Sequence, residues 1–247
     1  MTIRLHATSA EDTTRYRIRR EAASLAAAVD HLLDPATAHP VWPTSRSPGR
    51  IAVIRGFDRD SRALRDAVGV AAALRGWSVL DVPAVPSFGT IPVADDIGFV
   101  VAVRHILTPV AQRCAAFWRS PMLDPGAAAA GVQDVIWQSR PALSLATSGG
   151  LYDNVASRFE LSGTSRYRTE GRPEAVTSAI AVEPTSSGIR VERLTGNHDE
   201  TARTMDPSLT IRLDDPTPGT IDGHPQLFPA GDYTITALPQ RYHRIVH

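Results

Sequence analysis

The side chains that could bind an anion through a positive charge are arginines and histidines. The 247 residues include 26 Lys+Arg, and every one of the 26 is an arginine. The absence of lysine from the sequence excludes Schiff-base chemistry and the lysine of a P-loop or of a protein-kinase strand. A phosphate or carboxylate group held by side chains must therefore meet a histidine or the planar fork of an arginine.

Arg104 and His105 stand at the best position for such a role. They directly follow the apolar run Phe99–Val103, where a buried strand should give way to a helix. Ligands of open α/β sheets bind at the carboxyl ends of parallel strands. We therefore predict that Arg104 and His105 border a ligand cleft. The alternative is that they form the solvated start of a helix.

The string Gly196-Asn197-His198-Asp199 resembles the G-N-H-[DE] element of calcineurin-like metallophosphoesterases. That resemblance implies a two-metal centre that hydrolyses phosphate esters. The family also has an upstream D-x-H, whereas the D-x-H of this chain, Asp222 to His224, lies downstream. A metal-dependent phosphoesterase that uses His198, Asp199 and Asp222 is thus one alternative, and a polar turn without metal is the other.

Composition excludes several classes of partner. The net charge is zero, so no global field draws nucleic acid, and we expect no nucleic-acid partner. The arginines at 15, 17, 19 and 20 are expected on the solvated face of a helix. No apolar run is long enough to span a membrane and no signal peptide is visible, so we expect a cytoplasmic protein without a membrane partner. The single cysteine, Cys114, excludes an intrachain disulfide and is predicted to be buried.

The first half of the chain has the pattern of an α/β fold. A helix over Tyr16–Leu33 should end before Pro35, and a connector rich in Pro, Ser and Thr follows, so this helix is interpreted as an appendage. Four strands and two helices are then predicted: strands at 51–54, 77–82, 99–103 and 132–137, and helices from about 58 to 74 and from 105 to 118. The first strand–helix–strand unit should have parallel strands.

After Pro141 the helical spacing gives way to short alternating runs, which predict strands at 159–161, 179–182, 189–191, 209–213 and 233–236. Turn residues separate them, at 148–150, 196–197, 217–219 and 230–232. The predicted fold class is therefore α/β plus β: an N-terminal helix and connector (1–49), a parallel-sheet α/β lobe (50–140) and a β-rich lobe (141–247), with a cleft between the two lobes.

This order of elements resembles the superfamily of NAD kinases and diacylglycerol kinases. Three stretches carry the resemblance. Ile221–Asp232, with the following Tyr233–Ile235, is similar to a late "DG…l..Gd.v.i" hairpin of that superfamily. Ala181–Gly188 is similar to its "TPTGST" segment, and Asp153–Val155 is similar to its "NE/ND" pair. The resemblance implies a protein that binds a nucleotide or phosphorylated small molecule, such as ATP or NAD(P), in the interlobe cleft. The ligand-binding residues expected together from sequence position and resemblance are Arg104, His105, Asn154, Thr185, Ser186, Ser187 and Asp222.

One departure from that superfamily concerns catalysis. Its kinases carry GGDGT directly after a strand, whereas the corresponding stretch here, Val103–Thr108, has neither the glycines nor the aspartate. Either the kinase chemistry is lost, or the site is rebuilt around Arg104 and His105, and no catalytic residue is assigned. A non-enzymatic interaction protein that docks through its N-terminal helix is a further alternative, and a homo-oligomer is left open.

Overall fold

The computed structural model describes residues 10–34, 49–84, 91–92, 94–131, 136–148, 154–194 and 201–246. Its helices are α1 (Ala10–Leu33), α2 (Arg59–Leu74), α3 (Thr108–Trp118) and α4 (Pro125–Ala130), and a single 3₁₀ turn, His105–Leu107, precedes α3. Its strands are β1 (Arg50–Arg55), β2 (Ser78–Pro83), β3 (Ile97–Ala102), β4 (Met122–Leu123), β5 (Ile136–Thr147), β6 (Asn154–Ala156), β7 (Phe159–Thr169), β8 (Ala175–Pro184), β9 (Ile189–Leu194), β10 (Thr201–Asp206), β11 (Ser208–Leu213), β12 (Thr217–Ile221), β13 (His224–Phe228) and β14 (Gly231–Val246).

The first half of the chain builds a parallel sheet in the order β2-β1-β3-β4. The central residues of β1 and all of β3 are buried, as their continuous apolar runs predict. The predicted strand at 132–137 is in part the start of β5, since 136 and 137 belong to that strand and 132–135 lie outside the described residues. The short β4 and α4 were not predicted, because two and six residues are too few to show a period.

The residues at the two ends of helix α2 explain where it begins and where it ends. The Asp58 carboxylate accepts a hydrogen bond from the Ser61 backbone at 2.8 Å and one from the Ser61 hydroxyl at 2.6 Å, which caps the first turn. The hydrogen bond from the Ser61 hydroxyl has the largest effect on the pKa of Asp58, and together with the one from the backbone it holds that pKa below its usual value. The helix ends where Gly76 takes a positive φ of 75°. Leu64, Val68 and their neighbours on one face are buried.

The second half is a set of antiparallel strands in the order β10-β9-β8-β7-β11-β14. The prediction of a turn at Thr217–Gly219 is wrong, because these residues lie in β12, which pairs with both β7 and β13. Residues 214–216 connect β11 to β12 instead, and Asp222-Gly223, whose φ angles of 51° and 78° fit a two-residue hairpin, form the turn after β12. Gly219 is needed inside the strand, since a Cβ there would lie 2.2 Å from the Glu160 carbonyl oxygen.

The strands β5 and β14 join the two halves into one sheet. They pair antiparallel along nearly their whole length, and the last part of β14 pairs in parallel with β4, at Arg244 with Met122. Buried apolar side chains form two clusters, one around the parallel strands and the other inside the antiparallel strands. The predicted fold class, an N-terminal helix with an α/β region and a β-rich region, is confirmed.

Helix α1 is part of the first of these clusters. Its apolar stripe, which includes Leu25, Val29 and Leu32, is buried against the α/β region. Arg75, just after α2, fixes it further through Asp30, with nitrogen–oxygen distances of 2.6 and 3.0 Å. The interpretation of this helix as an appendage is therefore wrong, because it shares the core. In the described ranges, no helix is long and apolar enough to cross a membrane.

Candidate functional site

A cavity of about 400 Å³ lies at the carboxyl end of β3. One wall is the chain that leaves β3, a second is the middle of α1, and a third is α4. Its described lining residues are Arg17, Glu21, Ser24, Leu25, Leu64, Val103, Arg104, His105, Ile106, Pro125, Ala128 and Ala129. Its position at the ends of parallel strands is the one at which α/β sheets bind ligands.

The local sequence explains why Arg104 and His105 reach this cavity. The Val103 backbone donates to the Ile54 carbonyl at 3.1 Å, so the chain stays beside β1 for one residue after β3 ends. Arg104 is extended, with φ −147° and ψ 152°, and the 3₁₀ turn begins at His105. A proline in the first turn of α3 then favours the start of the helix.

The guanidinium of Arg104 has hydrogen-bonding capacity to spare. Its Nη2 lies 3.3 Å from Asp60 and 3.8 Å from Asp58, both at the start of α2. Its Nε is buried and has no hydrogen-bond partner among the described residues. By contrast, the guanidinium of Arg55 makes short contacts of 2.8 and 2.9 Å to both carboxylate oxygens of Asp81. Arg104 therefore lines the cavity with a guanidinium whose contacts to carboxylates are longer than those of Arg55.

His105 is exposed at the mouth of the same cavity, beside the first turn of α4. A Cβ added to Gly126 would lie 3.4 Å from His105 Cε1, so the glycine leaves room for the imidazole. The Asp124 carboxylate accepts from the Gly126 backbone at 2.8 Å and from Nε of Arg244 at 3.0 Å. Asp124 is thus committed to holding α4 on β14.

The α1 wall of the cavity was missed by the sequence analysis. Arg17, Glu21 and Ser24 are spaced i, i+4, i+7 and all line the cavity. The arginine cluster at 15–20 was interpreted as a solvated helix face, and its members are indeed exposed. The signal that singles out Arg17 is its place on the same helical stripe as the buried residues that follow it, such as Leu25 and Leu32.

The five other predicted site residues lie in the β-rich region, and four of them, Thr185, Ser186, Ser187 and Asp222, are not among the described residues that line this cavity. Asn154 begins β6, opposite Leu145 of β5. Thr185, Ser186 and Ser187 form the turn between β8 and β9, where the Thr185 hydroxyl donates to the Gly188 carbonyl at 2.9 Å. Asp222 lies in the β12–β13 turn. Whether these residues bind a ligand stays a prediction.

Asp222 is held at the corner between β6 and β7. Its Oδ1 accepts from the Ser157 backbone at 2.8 Å, the Ser157 hydroxyl at 2.6 Å and the Arg158 backbone at 2.8 Å. Its Oδ2 is buried and has no hydrogen-bond partner in the described part of the chain. Burial raises the pKa of Asp222, while the Ser157 hydroxyl, the two backbone donors and the charge of Arg113 oppose the rise. The carboxylate therefore fixes this corner and keeps one oxygen unused.

Cys114, on α3, behaves as predicted for a structural thiol. Its residue exposure is 2%. Burial raises the pKa of the thiol to about 12. A thiol in this state packs as a small apolar group.

The metallophosphoesterase alternative depends in part on residues outside the described ranges. His198 and Asp199 lie outside the described residues, whereas Asp222 is committed through Oδ1 to the corner it holds. Within the described ranges, no group of three or more His, Cys, Asp and Glu side chains has a metal-binding arrangement.

Comparison with known proteins gives structural likeness only. No family model and no curated protein matches the sequence. A diacylglycerol kinase of Bacillus anthracis str. Sterne aligns over 82% of this chain and 98% of its own, with 9% identity and a TM-score of 0.49. A 2,5-dihydroxypyridine dioxygenase of Pseudomonas putida KT2440 aligns over 87% and 91%, with 11% identity and a TM-score of 0.26. Diacylglycerol kinases are thus found both by sequence resemblance and among solved structures, but this likeness carries no argument about activity.

Proposed function

We propose that the protein binds a nucleotide or another phosphorylated small molecule in the cavity at the carboxyl end of β3. The observation that carries the proposal is Arg104, which lines the cavity and whose guanidinium comes no closer than 3.3 Å to the carboxylates of Asp60 and Asp58. Charged donors of this kind form the strongest hydrogen bonds to phosphate oxygens.

The surroundings of Arg104 support an anionic ligand. The contacts of Arg104 to Asp60 and Asp58, at 3.3 and 3.8 Å, are long for a guanidinium and a carboxylate. A phosphate group can therefore compete for Nη2 without displacing a short bidentate pair. His105, beside it, adds a second donor, an imidazole N–H, to the lining of the cavity.

The cavity also has the size and lining of a small-molecule site. Its volume of about 400 Å³ lies within the usual range for ligand pockets, about 300–1,000 Å³. Its lining combines apolar groups, such as Leu25, Leu64 and Val103, with a few polar side chains. Such a mixture suits a ligand with a charged end and a less polar body.

We propose binding and assign no general base: three nearby carboxylates have other partners, and Glu21, which lines the cavity, lies 3.7 Å from Nε of Arg17. Asp58 caps α2, Asp60 contacts Arg104, and Asp124 holds α4 and Arg244. A general base must be within hydrogen-bond reach of the proton it removes and must be available to accept it. An arginine can bind a phosphate but cannot take over that role.

Thermal-shift measurements with ATP, NAD, NADP and sugar phosphates test the proposal. A ligand that binds the folded state raises its apparent stability, by about 2.7 kcal/mol at a hundredfold excess over Kd. For the ligand with the largest shift, Arg104→Ala should weaken binding about tenfold or more, because a charge-assisted hydrogen bond contributes about 1.5–3 kcal/mol.

The matched control is Arg212→Ala, which removes an exposed arginine of β11 outside the cavity. It should leave the affinity unchanged. Equal affinities of the wild-type protein and Arg104→Ala for a confirmed ligand would exclude this cavity as the binding site.

A further inference from the structure

We infer that helix α1 supplies a second cation to the cavity, Arg17, and that the site therefore selects ligands with two linked anionic groups, such as a diphosphate. This inference rests on the proposed function and names its ligand class. Arg17 of α1 and Arg104, which follows β3, come from different elements and line the same cavity.

The first support is that α1 is fixed in place. Leu25, Val29 and Leu32 are buried in the core shared with the parallel sheet. Asp30 is bound by Arg75 through both carboxylate oxygens, at 2.6 and 3.0 Å. Arg17 is two turns before Leu25, about 12 Å along the helix axis. The anchored half of α1 therefore holds Arg17 at the cavity.

The second support is that neither cavity arginine is committed to a close partner. The Nε of Arg17 lies 3.7 Å from the Glu21 carboxylate, and both side chains are exposed. Exposed pairs of this kind are weak. Arg104 is 3.3 Å from its nearest carboxylate, that of Asp60. The arginines that hold elements together, such as Arg75, make shorter contacts, so the two cavity arginines keep donors for a ligand.

The third support is the charge of the lining. Among the described lining residues, Arg17 and Arg104 carry positive charge and Glu21 carries negative charge. When a single phosphate binds Arg104, the ion pair between Arg17 and Glu21 is unchanged. A second anionic group on the same ligand can bind Arg17 in place of Glu21, and this second contact costs little further loss of translational freedom. A diphosphate therefore gains more from this cavity than a monophosphate does.

Titration calorimetry with inorganic phosphate and pyrophosphate, at one fixed ionic strength, tests the inference. We expect the wild-type protein to bind pyrophosphate about tenfold or more tightly than phosphate, the gain of one charge-assisted contact. Arg17→Ala should remove most of this preference and leave phosphate binding nearly unchanged. Glu21→Gln should strengthen pyrophosphate binding, because it removes the competitor for Arg17.

The control is Arg19→Ala, which makes the same charge change two residues away on α1, at an exposed position that does not line the cavity. It should keep the preference. Since Arg17 is exposed, its replacement should also leave the melting temperature unchanged. A preference for pyrophosphate that survives Arg17→Ala overturns the inference but keeps the proposed site, provided that Arg104→Ala weakens both anions. Failure of the wild-type protein to bind either anion contradicts the proposed function itself.

Discussion

Nη2 of Arg104 lies 3.3 Å from Oδ2 of Asp60, across the gap between the end of β3 and the first turn of α2. This pair is half-exposed, and its length leaves the guanidinium available to a ligand. Asp60 is then a competitor of the anion. The relationship between these two residues gives the first prediction.

Asp60→Asn should strengthen anion binding by a few fold, since a partly exposed ion pair contributes about 0.2–1 kcal/mol that a bound anion must replace. Titration with pyrophosphate checks this. The control is Asp66→Asn, at an exposed position of α2 that does not line the cavity. A weaker affinity for Asp60→Asn would mean that Asp60 orients Arg104 for the ligand instead of competing with it.

Asp222→Ala should destabilise the protein strongly, whereas Asp222→Asn should be tolerated. Alanine removes the acceptor of the Ser157 and Arg158 backbone groups, at about 1–3 kcal/mol for each buried group left without a partner. Asparagine keeps an acceptor at Oδ1 and adopts the positive φ of this turn. Chemical denaturation of both variants measures the difference, and equal losses would show that the charge, not the acceptor, stabilises the corner.

A comparison of the wild-type protein with Asp222→Asn gives a pH test. Burial raises the pKa of Asp222 in the folded state, so between its unfolded and folded pKa values the folded protein binds more protons. The contribution of this group to the free energy of unfolding is therefore highest below that window and falls as the pH rises through it. Asp222→Asn should lack this decline, and parallel pH profiles of the two proteins would contradict the assignment.

Cys114 should react slowly in the native protein. Its thiol is buried and has a pKa of about 12, and the thiolate is the reactive species. Relative to an unfolded thiol of pKa about 8.5, the thiolate population near pH 8 is smaller by about a thousandfold. A thiol-specific chromogenic reagent, applied with and without denaturant, measures the ratio. Native and unfolded rates within tenfold of each other would refute the burial.

Gly219→Ala should destabilise the β-rich region. The added Cβ would lie 2.2 Å from the Glu160 carbonyl oxygen and 2.8 Å from the Phe228 ring. Overpacking of this kind costs about 1–3 kcal/mol. The matched control is Gly69→Ala in α2, where the nearest atom to the new Cβ outside the helix backbone, on Val79, is 4.0 Å away, and a gain of about 0.5–1 kcal/mol is expected. A neutral Gly219→Ala would mean that β12 and β7 are farther apart.

The sequence predicts the α/β region well because its signals are local. Continuous apolar runs identify β1 and β3, and Asp58 and Gly76 mark the ends of α2. The strand β12 was mistaken for a turn because Thr217, Pro218 and Gly219 favour turns by themselves. Their strand conformation depends on pairing with β7, more than fifty residues earlier in the chain, which local propensity does not report.

The candidate site was predictable only in part, for the same reason. The position after a buried strand led to Arg104 and His105, which do line one cavity. The contribution of α1 depends on where that helix packs, and tertiary burial of Leu25 and Val29 decides this. Helical spacing gives the stripe that Arg17 and Glu21 share, but it does not name the surface that the stripe covers.

The most direct test of the account is a crystal structure of the protein soaked with pyrophosphate. We expect the anion in the cavity at the carboxyl end of β3, with its oxygens within hydrogen-bond distance of the Arg104 guanidinium, about 2.7–2.9 Å. Pyrophosphate ordered elsewhere on the molecule, with this cavity filled by water alone, would contradict the account.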